Sequence, residues 1–181
     1  NLLPDNVEIR NRIRDRFRLR SAGTFELLRE IGRDCVGAVQ LLPDERAPDD
    51  LHEIRSTPLS EGQVADVLRR VTARPMPGQP AGDDGEFRIS IAGAQEKTGL
   101  LRHDGQGCRP IGSTPSTHIF KLPLGLVGNM RADMELSVEN EWLCMQLLVA
   151  FGIPVANTAM DTLEGQRVRI VERCDRRLAR D

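Results

Sequence analysis

The sequence predicts an α+β protein, mainly helical in its first part and dominated by strands thereafter, with one helix among the strands. Three observations carry this. Apolar residues recur at helical spacing in three segments before residue 74. Between 74 and 85 the chain holds Pro75, Pro77, Gly78, Pro80, Gly82 and Gly85, a density of breakers that marks a linker. Beyond it, short runs rich in apolar residues fall at 87–91, 98–102, 117–122, 158–162 and 167–172. The expected organisation is therefore an amino-terminal subdomain over 1–74, a linker over 75–85, and a second unit over 86–181.

Taken in order, Asp5 to Leu19 reads as a helix, because Pro4 suits a helix start and Ile9, Ile13 and Phe17 fall four apart. Arg10, Arg14 and Arg18 form one stripe beside that apolar face, and Arg12, Arg16 and Arg20 another. The stripes are either a basic patch or a solvated face partnered by Glu8 and Asp15. Thr24 is a candidate N-cap for a short helix carrying Phe25, Leu27, Leu28 and Ile31, with Gly32 as its stop. Residues 36–42 read as a strand, and 43–58 as loop. Ser60-Glu61-Gly62-Gln63 has capping-box spacing ahead of Val64, Val67, Leu68 and Val71. In the second unit, a helix is expected from after Ser137 to Phe151, stopped by Gly152, with Val138, Trp142, Met145 and Val149 on one face.

Composition narrows the class. A net charge of −2 excludes a generic polyanion binder. No apolar run approaches membrane-spanning length, and no signal-peptide pattern opens the chain. Cys35, Cys108, Cys144 and Cys174 are widely spaced and read as reduced thiols of a cytosolic protein. His52, His103 and His118 are scattered, so no metal cluster is expected.

The stretch with most chemistry is Ser90-Ile91-Ala92-Gly93-Ala94-Gln95-Glu96-Lys97-Thr98. Small residues between two strand-like runs allow backbone N–H groups to approach an anion, and a lysine closes the loop. An ordinary hairpin with an exposed lysine is the alternative, since the loop matches neither a dinucleotide fingerprint nor a P-loop. Of 25 basic residues other than histidine, only Lys97 and Lys121 are lysines. Both sit beside strand-like segments, which suggests positions where a compact ammonium is required and a planar guanidinium does not fit. Lys121 lies near the end of the run 117–122, and Glu141 lies on the following helix. A strand lysine paired with a helix glutamate is the arrangement by which kinases hold nucleotide phosphates. Glu139 and Glu135 compete for the role, and an unrelated surface ion pair is the alternative.

Four ordered blocks carry a resemblance: 89–98, 116–123, Glu139-Asn140-Glu141, and 171–177 (Val-Glu-Arg-Cys-Asp-Arg-Arg). They closely resemble the HipA family of bacterial toxin kinases, and residues 1–5 and 30–38 resemble that family's amino-terminal region. The resemblance implies the mainly antiparallel β N-lobe of a serine/threonine kinase fold related to phosphoinositide 3/4-kinases, with ATP and Mg2+ as cofactors. It also implies a cytoplasmic toxin that arrests growth by phosphorylating an aminoacyl-tRNA synthetase, notably the glutamyl enzyme. A HipB-like helix-turn-helix antitoxin would neutralise it and connect it indirectly to operator DNA. On the same basis Ala92, Gly93, Ala94, Gln95, Glu96 and Lys97 would contact phosphates. Lys121, oriented by Glu141, would bind ATP. Glu172, Arg173 and Cys174 would form the hinge, and Ser90 would be the autophosphorylation site.

One part of the family pattern is missing. HipA-like kinases carry an Asp-Gly-His-x-x-Asn catalytic loop and a metal-binding aspartate downstream. Here Arg55, Gln106 and Lys121 stand three residues after the histidines. The expectation is a fragment whose catalytic aspartate lies beyond Asp181, with the carboxy-terminal lobe absent and no metal ligands present. The alternative is a catalytically inactive remnant that binds the antitoxin or its DNA complex.

Overall fold

The structure, a computed structural model, describes residues 2–37, 39–42, 53–72, 95, 97–128 and 130–176. Helix α1 (Val7–Arg16) starts where the Asn6 side chain accepts a hydrogen bond from the Glu8 amide at 2.8 Å. It buries Ile9 and Ile13 against α2 (Thr24–Ile31), which contributes Leu27, Leu28 and Ile31 to a helical core closed by Leu3. The N-cap of α2 is Gly23 rather than Thr24, which is the first helical residue. A 3-10 turn, Gly32–Asp34, follows.

The expected strand at 36–42 does not form among its described residues. Gly37 turns the chain at φ 72°, and Leu41 folds back over Gly32, its amide donating to the Gly32 carbonyl at 2.8 Å. Leu41 thus joins the helical core, and its apolar run serves packing rather than a ladder. The expected loop also needs correction, because Ser56–Pro58 forms an edge strand, β1. An edge tolerates Pro58, whose missing N–H would break a central ladder.

Helix α3 (Glu61–Thr72) opens with the expected capping box: the Ser60 amide donates to Gln63 Oε1 at 2.8 Å, and the Gln63 amide to Ser60 Oγ at 3.3 Å. The remaining strands are β2 (Lys97–His103), β3 (Gln106–Pro110), β4 (His118–Lys121), β7 (Thr158–Leu163) and β8 (Gln166–Glu172). With β1 they form one antiparallel sheet in the order β1-β3-β2-β4-β8-β7. A small hairpin, β5 (Gly125–Val127) and β6 (Ala132–Met134), precedes helix α4 (Ser137–Ala150). The sequence reading anticipated neither β3 nor this hairpin. Residues 87–91 and the linker 75–85 lie outside the described residues.

The sheet is sandwiched between two helices. Val64, Ala65 and Leu68 of α3 pack on Leu100, Phe120, Leu122 and Val168 on one face. Thus β1 and α3 belong to the layers of the sheet. Helix α4 lies on the opposite face, where its glutamates reach Arg167 and Arg169. Its expected buried stripe holds at its beginning, where Val138 is buried, but fails at Val149, which is 54% exposed.

Candidate anion-binding site

The register of three neighbouring strands places Lys97 of β2 opposite Lys121 of β4, and Lys121 opposite Arg169 of β8. Directly opposed residues project from the same face of a sheet. Phe120 and Val168, the chain neighbours of Lys121 and Arg169, pack under α3, so the three cations project towards α4. A row of like charges directly opposite one another destabilises a sheet. A fold that keeps such a row departs from local consistency, as functional sites do.

Helix α4 supplies the counter-charge. Glu141 Oε2 accepts from Lys121 Nζ at 3.2 Å and also from Arg169 Nη1. This is the pairing read from the sequence, with a second cation that was not anticipated. Glu139, the competitor, is taken by Arg167, whose hydrogen bond holds its carboxyl below the usual range. Glu135 lies in the exposed turn before α4. Arg169 could have been found from Arg167-Val168-Arg169-Ile170, where arginine alternates with apolar residues, but its neighbour across the sheet is set by register.

Lys97 is 6% exposed. Burial, aided by the positive charge of Lys121, lowers its pKa to about 8, while Glu141 and Asp5 oppose the shift. The Gln95 amide donates to the Leu122 carbonyl at 2.7 Å, anchoring the entry to β2 against the end of β4. Ser90, Ala92, Gly93, Ala94 and Glu96 lie outside the described residues.

The expected hinge residues begin at the last residue of β8, Glu172, and continue just past it. The Glu172 amide donates to the Asn157 carbonyl at 2.9 Å, and its carboxylate accepts from the Asn157 amide at 2.8 Å. The Arg173 side chain turns inward, away from the row, to Asp34 and Ser116. Cys174 is exposed.

Chemically the row suits an extended anion: three cationic groups on a half-buried floor, with one carboxylate to orient them. A nucleotide's phosphates fit this donor set. Among the described residues no group of three or more His, Cys, Asp or Glu is placed to hold a metal ion. Nor is any described helix long and apolar enough to cross a membrane.

Comparisons with known proteins agree with this architecture. The family model described as HipA-like C-terminal domain matches residues 89–180, about half of the chain, and that of the HipA N-terminal domain matches 1–42. Y4mE of Sinorhizobium fredii, a protein with a provisional kinase name, is 35% identical over 86% of this chain and 35% of its own length. The serine/threonine-protein kinase toxin HipA of Shewanella oneidensis is 30% identical over 98% of this chain and 37% of its own. A solved complex of Shewanella oneidensis HipA, HipB and operator DNA contains a chain that superimposes with a TM-score of 0.67 at 28% identity. That match covers 99% of this chain and 38% of the solved one. The chain therefore spans little more than a third of the relatives it matches, and with both family models matched in order, it belongs to the HipA family.

Proposed function

We propose that this chain carries the ATP-phosphate-binding lobe of a HipA-like serine/threonine protein kinase toxin. The observation that carries the reading is the row Lys97, Lys121 and Arg169, in register on one sheet face with Glu141 above it. In this reading Lys121 neutralises phosphate oxygens and Glu141 orients it. Residues Ala92 to Lys97 cover the phosphates, Glu172 to Cys174 present backbone to the base, and Ser90 is the site of autophosphorylation. The sequence has no Asp-Gly-His-x-x-Asn loop, so the 181 residues are assigned phosphate binding rather than phosphoryl transfer. Bound Mg2+ would neutralise charge on the phosphates.

For the whole protein, the family resemblance supports an aminoacyl-tRNA synthetase, the glutamyl enzyme first, as phosphoacceptor. The Shewanella oneidensis complex supports a HipB-like antitoxin as partner, with operator DNA reached through it. Free cysteines, two of them buried, suit a cytoplasmic protein.

Calorimetric titration of ATP into the chain and its Lys121→Met variant tests the phosphate site. Saturable binding weakened about tenfold or more in the variant is expected, the range for a lost charge-assisted hydrogen bond. Equal affinities would overturn the assignment. With labelled ATP, magnesium and glutamyl-tRNA synthetase, the chain alone should transfer no phosphate.

A further inference from the structure

We propose that Arg169 is a positioning residue of the phosphate site: it is the standing counter-ion of Glu141 and leaves Lys121 exchangeable. The inference rests on the nucleotide reading above and deepens it: that reading counts Arg169 among the cations of the row, and its contacts give it a separate task.

Glu141 Oε2 is shared by two cations of different character. The Arg169 side chain is 6% exposed, whereas that of Lys121 is 26% exposed. Arg169 is also fixed at its other edge, where Nε donates to Thr158 Oγ1 at 3.1 Å. The Thr158 hydroxyl in turn donates to the Ile170 carbonyl at 3.2 Å. A guanidinium held at two points and permanently charged keeps its carboxylate partner. The ammonium of Lys121 is a compact point charge on a flexible stem, bound to Glu141 by one longer contact.

An arriving phosphate needs Lys121, and Lys121 must loosen from Glu141 to meet it. Were Lys121 the sole partner of Glu141, its departure would leave a partly buried carboxylate unpaired, which costs free energy. Arg169 removes that penalty, because Glu141 stays neutralised throughout. Replacing Arg169 with an apolar residue therefore weakens phosphate binding by concentrating Glu141 on Lys121. Deleting the Glu141 charge as well should restore part of it, because Lys121 is then released, though no longer oriented by a carboxylate.

The test is calorimetric titration of ATP, inorganic triphosphate and adenosine into the chain, Arg169→Met, Thr158→Val, and the double variant Arg169→Met/Glu141→Gln, with thermal melts of each. Arg169→Met should lose about tenfold or more in ATP and triphosphate affinity and keep adenosine affinity. The double variant should regain a measurable part of the loss. Thr158→Val, which keeps the charge and removes its anchor, should show a smaller loss confined to the phosphate ligands, and it carries the test if Arg169→Met does not fold. Unchanged ATP affinity in Arg169→Met overturns the proposal, as does any loss that the double variant does not regain in part, whether or not it extends to adenosine. Failure of the unsubstituted chain to bind ATP or triphosphate overturns the nucleotide reading itself and this proposal with it.

Discussion

Arg173 and Asp34 meet at 3.1 Å across 139 residues of sequence, and each side chain is 2% exposed. Asp34 also accepts from the Ser116 amide at 2.9 Å and from Arg176 at 3.1 Å. Arg173 also donates to Ser116 Oγ and the Cys35 carbonyl, both at 3.0 Å, and to Asp175 at 2.8 Å. This network fastens the turn after α2 to the end of β8, beside the segment assigned to the nucleotide base.

Removing one partner of a buried pair leaves the other uncompensated. Asp34→Ala should cost about 3–5 kcal/mol. Urea denaturation of the chain and the variant measures it, and a loss below about 1 kcal/mol would place the pair among weak surface bridges. The same network predicts acid sensitivity. The Arg173 hydrogen bond holds the Asp175 carboxyl well below its ordinary value of 3.8. That stabilisation is present above the unfolded-state pKa and is lost as pH falls towards the folded one.

Lys97 predicts the opposite end of the pH scale. Its folded pKa, about 8, lies below the ordinary 10.5 because burial and Lys121 disfavour its charge. Between those values the unfolded chain binds more protons than the folded one, so stability rises with pH. Below about 8 both states are protonated and the burial penalty is felt in full. Midpoints of urea denaturation should therefore increase from pH 8 to pH 10, and Lys97→Met should abolish the increase. Anion binding should move the other way, weakening as Lys97 loses its proton.

What the sequence disclosed was local. The capping box at Ser60 and Gln63, the stop at Gly32, and the strands around 98–102 and 167–172 rest on neighbouring residues and came out as expected. The β2–β3 hairpin was equally local but went unread: Asp104-Gly105, with φ of 50° and 77°, is the two-residue turn such hairpins favour. Glu164-Gly165, at 45° and 81°, joins β7 to β8 in the same way. Arg169 opposite Lys121, and Arg173 against Asp34, were not legible. Register and long-range burial decide those contacts, and neither leaves a mark in a short window of sequence. The apolar run at 39–42 misled because core packing and strand formation both select such residues.

The capping box can be tested directly. Ser60→Ala removes the side-chain acceptor for the Gln63 amide at the start of the helix that covers the sheet. A loss of about 1 kcal/mol is expected from cap deletions. Leu68→Ala, in the centre of the same core and fully buried, should cost about 2–5 kcal/mol. A cap effect as large as the core effect would mean that α3 is held by its end rather than by its apolar face.

Helix α4 predicts association. Leu143 and Leu147, one turn apart, are 52% and 51% exposed, and Phe151 beyond them is 79% exposed. Exposed apolar residues grouped in this way mark a surface that avoids water. The chain should sediment with a concentration-dependent increase in mass, and Leu143→Glu/Leu147→Glu should remove it with little change in melting temperature. An unchanged sedimentation profile in the double variant would place association elsewhere.

The last prediction concerns charge at the phosphate site. Lys121 stands opposite both Lys97 and Arg169. Lys121→Arg keeps its charge but puts a second planar guanidinium beside Arg169, and the compact point charge is lost. ATP affinity should fall about tenfold while the fold is retained. Ser90 immediately precedes the small-residue loop in sequence. A phosphate there adds about −1.5 to −2 charges next to a loop assigned to an anionic ligand, and like charges repel. Ser90→Asp, a weaker mimic, should lower ATP affinity and spare adenosine, whereas Ser90→Ala should bind both as the unsubstituted chain does. Calorimetry on the three variants decides the matter. Should Lys121→Arg and Ser90→Asp both bind ATP as tightly as Ser90→Ala, neither the strand lysine nor the loop before it handles phosphate.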